Sequence, residues 1–179
     1  MKQKPKLIGL TGTNGSGKGE LAAYLQRKGF AYYSLSDVIR DELAAAGKEI
    51  TRDHLIAMGN ALREEFGPDV LARRVTAKIK GKAVIDSVRN VKEVEYLKKL
   101  KGFVFWAVDA PAEVRHGRVT ARGRNESAAT LEEFKKKEEE EMKGNESAQQ
   151  LAACMALADR LFINNGSLED LYAKVEEAL

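Results

Sequence analysis

Gly12-Thr13-Asn14-Gly15-Ser16-Gly17-Lys18 is the stretch whose residue types and spacing point most directly to a chemistry. Glycines at this spacing let successive backbone N–H groups turn towards one point, where they can cradle phosphate oxygens. A helix opening near Lys18 adds its positive end. The Lys18 ammonium then meets the β- and γ-phosphates of a nucleoside triphosphate. The position after the lysine usually gives a Ser or Thr hydroxyl to magnesium; here it is Gly19, followed by Glu20. The ion must then be held by the phosphates and by a carboxylate acting through water. Asp86 is the candidate carboxylate, and a helix N-cap is its other reading; the two roles are compatible.

Arginines supply the second half of such a chemistry. Phosphoryl transfer develops charge on the moving group, and catalysis is mainly positioning and electrostatic stabilisation. A planar guanidinium suits this because it binds phosphate oxygens bidentately. Arg118 and Arg122 stand four residues apart, so on a helix they share a face and can meet the same phosphates. Arg115 falls on a neighbouring face, and Arg124 adds charge nearby. A solvated surface arginine is the alternative reading at each position.

The elements that must position these groups follow from periodicity. Short apolar runs at 7–11, 30–35, 82–86, 102–108 and 161–163 read as strands. Helical patterns separate them, over 18–29, 36–46, from Thr51 to Gly67-Pro68, from Pro68 onwards, through Val91, Val94 and Leu97, over 111–122, 131–143 and 148–158, and from Ser167 to the end. Ser36, Thr51 and Ser167 read as N-caps, and Pro68 suits a first helical turn. Strands alternating with helices call for a parallel sheet covered on both sides.

Several of these segments resemble known kinases. Residues 12–19 look like the loop of adenylate kinases and related nucleoside monophosphate kinases, which also put glycine after the lysine but usually follow it with Thr rather than Glu20. Ser36-Asp37-Val38-Ile39-Arg40 resembles their Gly-Asp-Met-Leu-Arg segment, which implies that Arg40 grips the acceptor's phosphate. Asp86-Ser87-Val88-Arg89 resembles their Asp-Gly-Phe-Pro-Arg, one residue shorter and without the proline, which implies Arg89 as a second clamp. Arg118 and Arg122 match the Arg-x-x-x-Arg of their lid. Ile8 to Gly12 and the tail from Ala158 to Glu169 look instead like dephospho-coenzyme A kinases. In that family the tail strand and its loop lie beside the ATP base; Asn164 and Asn165 would do that here, or form a turn. The whole chain also resembles a group of small adenylate-kinase-related P-loop proteins. Asp37 either shapes the acceptor pocket or, in a dephospho-coenzyme A kinase-like reaction, orients or deprotonates a hydroxyl.

The resemblance implies a single three-layer α/β/α P-loop NTPase domain over 1–179, with a five-stranded parallel sheet ordered 2-3-1-4-5. It implies acceptor-binding helices at about 36–77 and a short lid at about 118–143. ATP and Mg2+ are the expected cofactors, and a nucleoside or deoxynucleoside monophosphate the expected acceptor. Dephospho-coenzyme A is the alternative acceptor, and an ATP-holding regulator the third reading.

Composition is consistent with this. Of 179 residues, 44% are hydrophobic, enough for a core, and 32% are charged, giving a net charge of only +3. Basic residues over 78–101 and acidic ones over 132–141 form no uninterrupted basic arm, so nucleic acid is not an expected partner. Cys154 lacks a disulfide partner and reads as a small buried hydrophobe; His54 and His116 read as surface or packing residues. With no leader-like or membrane-spanning stretch, a cytoplasmic monomer or homodimer is the expectation.

Overall fold

A computed structural model describes residues 6–122, 130–142 and 150–179. The apolar runs form β1 (Leu7–Gly12), β2 (Ala31–Ser34), β3 (Ala83–Asp86), β4 (Phe103–Asp109) and β5 (Arg160–Ile163). Among them lie α1 (Lys18–Arg27), α2 (Leu35–Ala45), α3 (Arg52–Phe66), α4 (Val70–Thr76), α5 (Val91–Leu97), α6 (Ala112–Ala121), α7 (Leu131–Met142), α8 (Leu151–Ala156) and α9 (Leu168–Glu176). The strands make one parallel sheet in the order β2-β3-β1-β4-β5, as expected. The crossover from β1 runs two places one way and the crossover from β3 two places the other way. That reversal opens a crevice at the carboxyl ends of the strands. The register brings Gly12 opposite Val108 and Ser34 opposite Asp86, so the strand ends that matter lie along one edge.

Successive strand residues point to opposite faces, and both faces are apolar. Ile8, Leu10, Val84, Trp106, Val108 and Phe162 pack with α1 and α9. Ile85 and Phe105 point the other way and pack with residues of α2 to α5 and with Cys154 of α8. Burial pushes the Cys154 thiol up to about 12, so it is a packing residue and not a nucleophile. His54 hydrogen-bonds the Glu49 carbonyl at 2.7 Å, and His116 lies edge-on to Phe134; both are local contacts. No helix among the described residues is long and apolar enough to cross a membrane.

Three expected helix starts change. Ser34, not Ser36, caps α2: it ends β2 with an extended ψ of 135°, and its hydroxyl accepts from the Ser36 N–H. Pro68 stays outside the first turn of α4, because Asp69 holds the cap position and its carboxylate accepts from Arg73. Asp86 is not an N-cap; Asn90 caps α5 in a box with Glu93. Thr51 and Ser167 cap as expected. Of the expected lid, 123–129, with Arg124, and residue 143 lie outside the described residues, as do 148 and 149 of the helix expected over 148–158.

The inner strand β4 carries much of this packing, since Phe105 is fully buried. Phe105→Ala should lower unfolding free energy by about 3–5 kcal/mol, measured by urea denaturation.

Candidate active site

The chain leaves β1 through Gly12 at φ +139°, and a side chain there would place its Cβ 2.0 Å from the Val108 carbonyl oxygen. Gly17, at φ +101°, would collide with the Asn164 side-chain amide at 2.2 Å. These two glycines let the loop lie against β4 and the end of β5 while its N–H groups turn to the opening of α1. Lys18 Nζ donates to the Gly12 and Thr13 carbonyls at 2.9 and 3.0 Å. It therefore spans its own loop, where a bound phosphate would meet it.

Side chains behind the loop hold that shape. Thr13 Oγ1 donates to Asp109 Oδ1 at 2.6 Å, so this hydroxyl is spent on β4 and not on a ligand. Asn164 Nδ2 donates to the Ser16 carbonyl at 2.8 Å. Arg118 donates to the carbonyls of Gly15 (3.4 Å) and Asn164 (3.1 Å). Arg115, only 5% exposed, donates to the carbonyls of Ala110 at 2.6 Å and Asn14 at 3.3 Å, and pairs with Glu138 at 2.7 and 2.9 Å. Expected only as extra charge, Arg115 is the brace of the loop. Its sequence carries no signal for that, since Glu138 lies 23 positions away.

Three connected openings surround the loop. The phosphate cleft, about 280 Å3, is lined by Asn14 to Gly19 together with Tyr32, Ser36, Asp37, Arg40, Asp86, Ser87, Arg89 and Arg122. The expected site residues Asp37, Arg40, Asp86, Arg89 and Arg122 thus converge on it. Arg118 does not line it; the carbonyl bonds keep it on the neighbouring base-side cavity, with Glu20, Arg122, Asn164, Gly166 and Leu168. Of the two asparagines named for that place, Asn164 lines the neighbouring cavity, while Asn165 is exposed and lines neither.

Asp86 Oδ1 accepts from the Ser87 N–H at 2.6 Å, and Oδ2 accepts from the Tyr32 hydroxyl at 3.1 Å. Ser87 holds a left-handed φ of 64° where the resembling kinases have glycine. Burial first, then the Asp86 charge, pushes the Tyr32 hydroxyl pKa up, so it stays a donor. Burial pushes the Asp37 carboxyl up; Arg40, whose Nε lies 4.0 Å from Asp37 Oδ1, opposes this, while Asp41 and Asp86 reinforce it. No cluster of three or more metal-ligating side chains occurs among the described residues. That donor set fits magnesium, which usually takes one or two carboxylates with phosphates and water, and does not fit an all-protein metal cage.

The third opening, about 150 Å3, shares Asn14, Ser36, Arg40, Ser87 and Arg89 with the phosphate cleft. It continues between α2, α3 and α4 along Leu35, Ile39, Leu55 and Leu71, with Arg52 and Arg63 as its further polar residues. Arg63 and its partner Glu93 were not among the expected site residues. Glu93 is fully buried: Oε1 accepts from Arg63 Nε at 2.9 Å and pairs with Nη2 at 2.9 Å, and Oε2 accepts from the Arg89 and Asn90 N–H groups, both at 3.0 Å. Burial pushes the Glu93 carboxyl up, while Arg63 and those N–H groups pull it back. The Asn-x-x-Glu spacing of the capping box was the available signal.

The fold is the three-layer α/β/α P-loop fold. A shikimate kinase from Bacteroides thetaiotaomicron superposes with a TM-score of 0.61 over 96% of both chains, at 14% identity, a likeness of fold alone. The chain belongs to the AAA domain family, whose pattern matches residues 8–152, and to the UPF0200 proteins. It is 35% identical over 176 residues to the UPF0200 protein of Sulfurisphaera tokodaii, covering 97% of this chain and 96% of that one. A UPF0200/UPF0201 protein of Archaeoglobus fulgidus is also 35% identical, and there the chain spans 55% of the relative's length.

Removing the brace strands Glu138, the loop carbonyl of Asn14 and the Ala110 carbonyl after β4. Arg115→Ala should cost about 3–5 kcal/mol of stability and weaken ATP-analogue binding in titration calorimetry; unchanged stability would count against the bracing role.

Proposed function

We propose that this chain transfers the γ-phosphate of ATP to a small nucleotide-like acceptor, with a nucleoside or deoxynucleoside monophosphate as the leading candidate. The observation that carries the proposal is the continuity of the two clefts. Asn14, Ser36, Arg40, Ser87 and Arg89 line both, so an acceptor phosphate held by Arg40 and Arg89 would adjoin the phosphate loop. The likeness of fold to the shikimate kinase supports the kinase class without naming an acceptor.

In this reading Lys18 and the loop N–H groups hold the donor phosphates, and Arg122 faces the charge that develops on the moving group. Asp86 would hold magnesium through water; when bound, the ion would neutralise phosphate charge. Asn164, Glu20 and Arg118 form the wall beside the donor's base and ribose. The helices α2 to α4 would be the acceptor-binding cap, and the segment after Arg118 a lid that excludes water. The acceptor opening, about 150 Å3, is well below the roughly 300–1,000 Å3 of most ligand sites. A monophosphate needs less widening of the cap than dephospho-coenzyme A does, which favours the smaller acceptor.

One observation supports a hydroxyl acceptor such as dephospho-coenzyme A. Asp37 lines the phosphate cleft with its side chain 57% exposed, and partial desolvation together with Asp41 and Asp86 moves its carboxyl in the direction a general base needs.

The test is ADP release from Mg·ATP across ribo- and deoxynucleoside monophosphates and dephospho-coenzyme A, with products identified by mass. Transfer to monophosphates supports the leading reading, and transfer to dephospho-coenzyme A alone selects the second. ATP binding without transfer to any acceptor overturns both and leaves an ATP-holding regulator. Lys18→Ala should abolish turnover. Arg40→Ala should raise the acceptor KM about tenfold or more while leaving the KM for ATP nearly unchanged, as loss of one charge-assisted phosphate contact predicts.

A further inference from the structure

The acceptor opening has two chemically distinct halves. The half shared with the phosphate cleft mixes donors and acceptors, through Asn14, Ser36 and Ser87. The half that lies away from the donor phosphates is walled by Leu35, Ile39, Leu55, Ile56 and Leu71, and its polar side chains are those of Arg52 and Arg63. A guanidinium donates hydrogen bonds and accepts none.

Arg63 is 4% exposed and held in one orientation. Its Nε donates to Glu93 Oε1, and Nη2 lies 2.9 Å from the same oxygen as an ion pair, so the rest of the guanidinium edge makes no further hydrogen bond among the described residues. Both Glu93 oxygens are taken, one by Arg63 and the other by the Arg89 and Asn90 N–H groups. The carboxylate therefore has no oxygen to offer a ligand. The same contacts tie the reader at the far end, Arg63, to the loop that carries the near-end clamp, Arg89. Because Glu93 balances the Arg63 charge, the remaining N–H groups suit a neutral carbonyl.

On the reading above, we infer that the acceptor is a nucleotide whose base presents an oxo edge to Arg63, and that amino-bearing bases are selected against. A base with an exocyclic amine would set N–H against N–H and leave both unsatisfied inside an apolar wall. A carbonyl at this end of the opening can accept from the Arg63 guanidinium, the complementarity that arginine uses on oxo-bearing base edges elsewhere.

The experiment compares size-matched monophosphates that differ at this edge: inosine against adenosine monophosphate, and uridine against cytidine monophosphate. Wild-type kcat/KM should favour the oxo member of each pair by about tenfold or more. Uridine monophosphate should also exceed its 4-thio analogue, since sulfur accepts hydrogen bonds weakly; this arm needs no variant. Arg63→Lys, checked for folding by thermal unfolding, should shrink both ratios towards one while the KM for ATP stays put. Equal or reversed preference in both pairs overturns the inference and leaves the proposed function standing. Ratios unchanged in folded Arg63→Lys overturn the assignment to Arg63. Transfer to no monophosphate, with ATP still bound, overturns the monophosphate reading itself and this inference with it.

Discussion

Arg115 holds the phosphate loop from behind, and the rest of the site is arranged around that fact. A guanidinium this deeply buried is tolerated only when its charge is paired and its N–H groups are satisfied. Glu138 supplies the charge, and the carbonyls of Ala110 and Asn14 take further donors. The contact joins the loop, the turn after β4 and α7. With Thr13 tied to Asp109 and Asn164 tied to Ser16, the loop is fixed on its far side by side-chain hydrogen bonds. Its near side, the N–H groups and Lys18, is left to meet a ligand. Fixing donors before the ligand arrives spares reorganisation at the moment of reaction, where phosphoryl transfer gains most of its rate.

The acceptor half is built differently. Its organising group is a buried carboxylate, Glu93, which holds two backbone N–H groups of the β3–α5 connection and a side chain of α3. Sheet and cap are thereby joined at one point. The phosphate loop rests on the sheet with α6 and α7 behind it, while the other opening depends on how α3 sits against the sheet. A shift of α3 would move Arg63 and strain the loop bearing Arg89 together, so two residues lining the same opening answer to one contact.

Much of this was legible in the sequence because the signals are local. The loop motif, the strand–helix alternation and the order of the arginines needed no tertiary information, and the sheet order followed from resemblance. Misreadings arose where contacts cross the chain. Thr13 belongs to the loop by spacing, yet its hydroxyl faces an aspartate 96 positions away. Arg118 shares a helix face with Arg122, but carbonyls of the loop and of Asn164 hold it aside. Asn164 over Asn165 was recoverable: Phe162 is buried, and a period of two carries Asn164 to the same face. Arg63 was not recoverable, because its partner lies 30 positions away and an arginine in an amphipathic helix reads as surface.

The loss of the usual hydroxyl at Gly19 fits the same division. A side chain at Gly19 would meet nothing within 4 Å, so packing does not demand glycine there. On the proposed function, the work of that hydroxyl would fall on Asp86, at the end of β3. Two donors from different strands aim this carboxylate, the Tyr32 hydroxyl and the Ser87 N–H. Beyond that N–H the chain turns through Ser87 at a left-handed φ, a strain of about 1–3 kcal/mol for a residue with a side chain. Such strain persists only where the surroundings enforce it, and the next residue is pinned by the Val88 N–H to the Leu10 carbonyl of β1. β1 thus fixes both the phosphate loop that continues it and the carboxylate opposite, so the two move as one body.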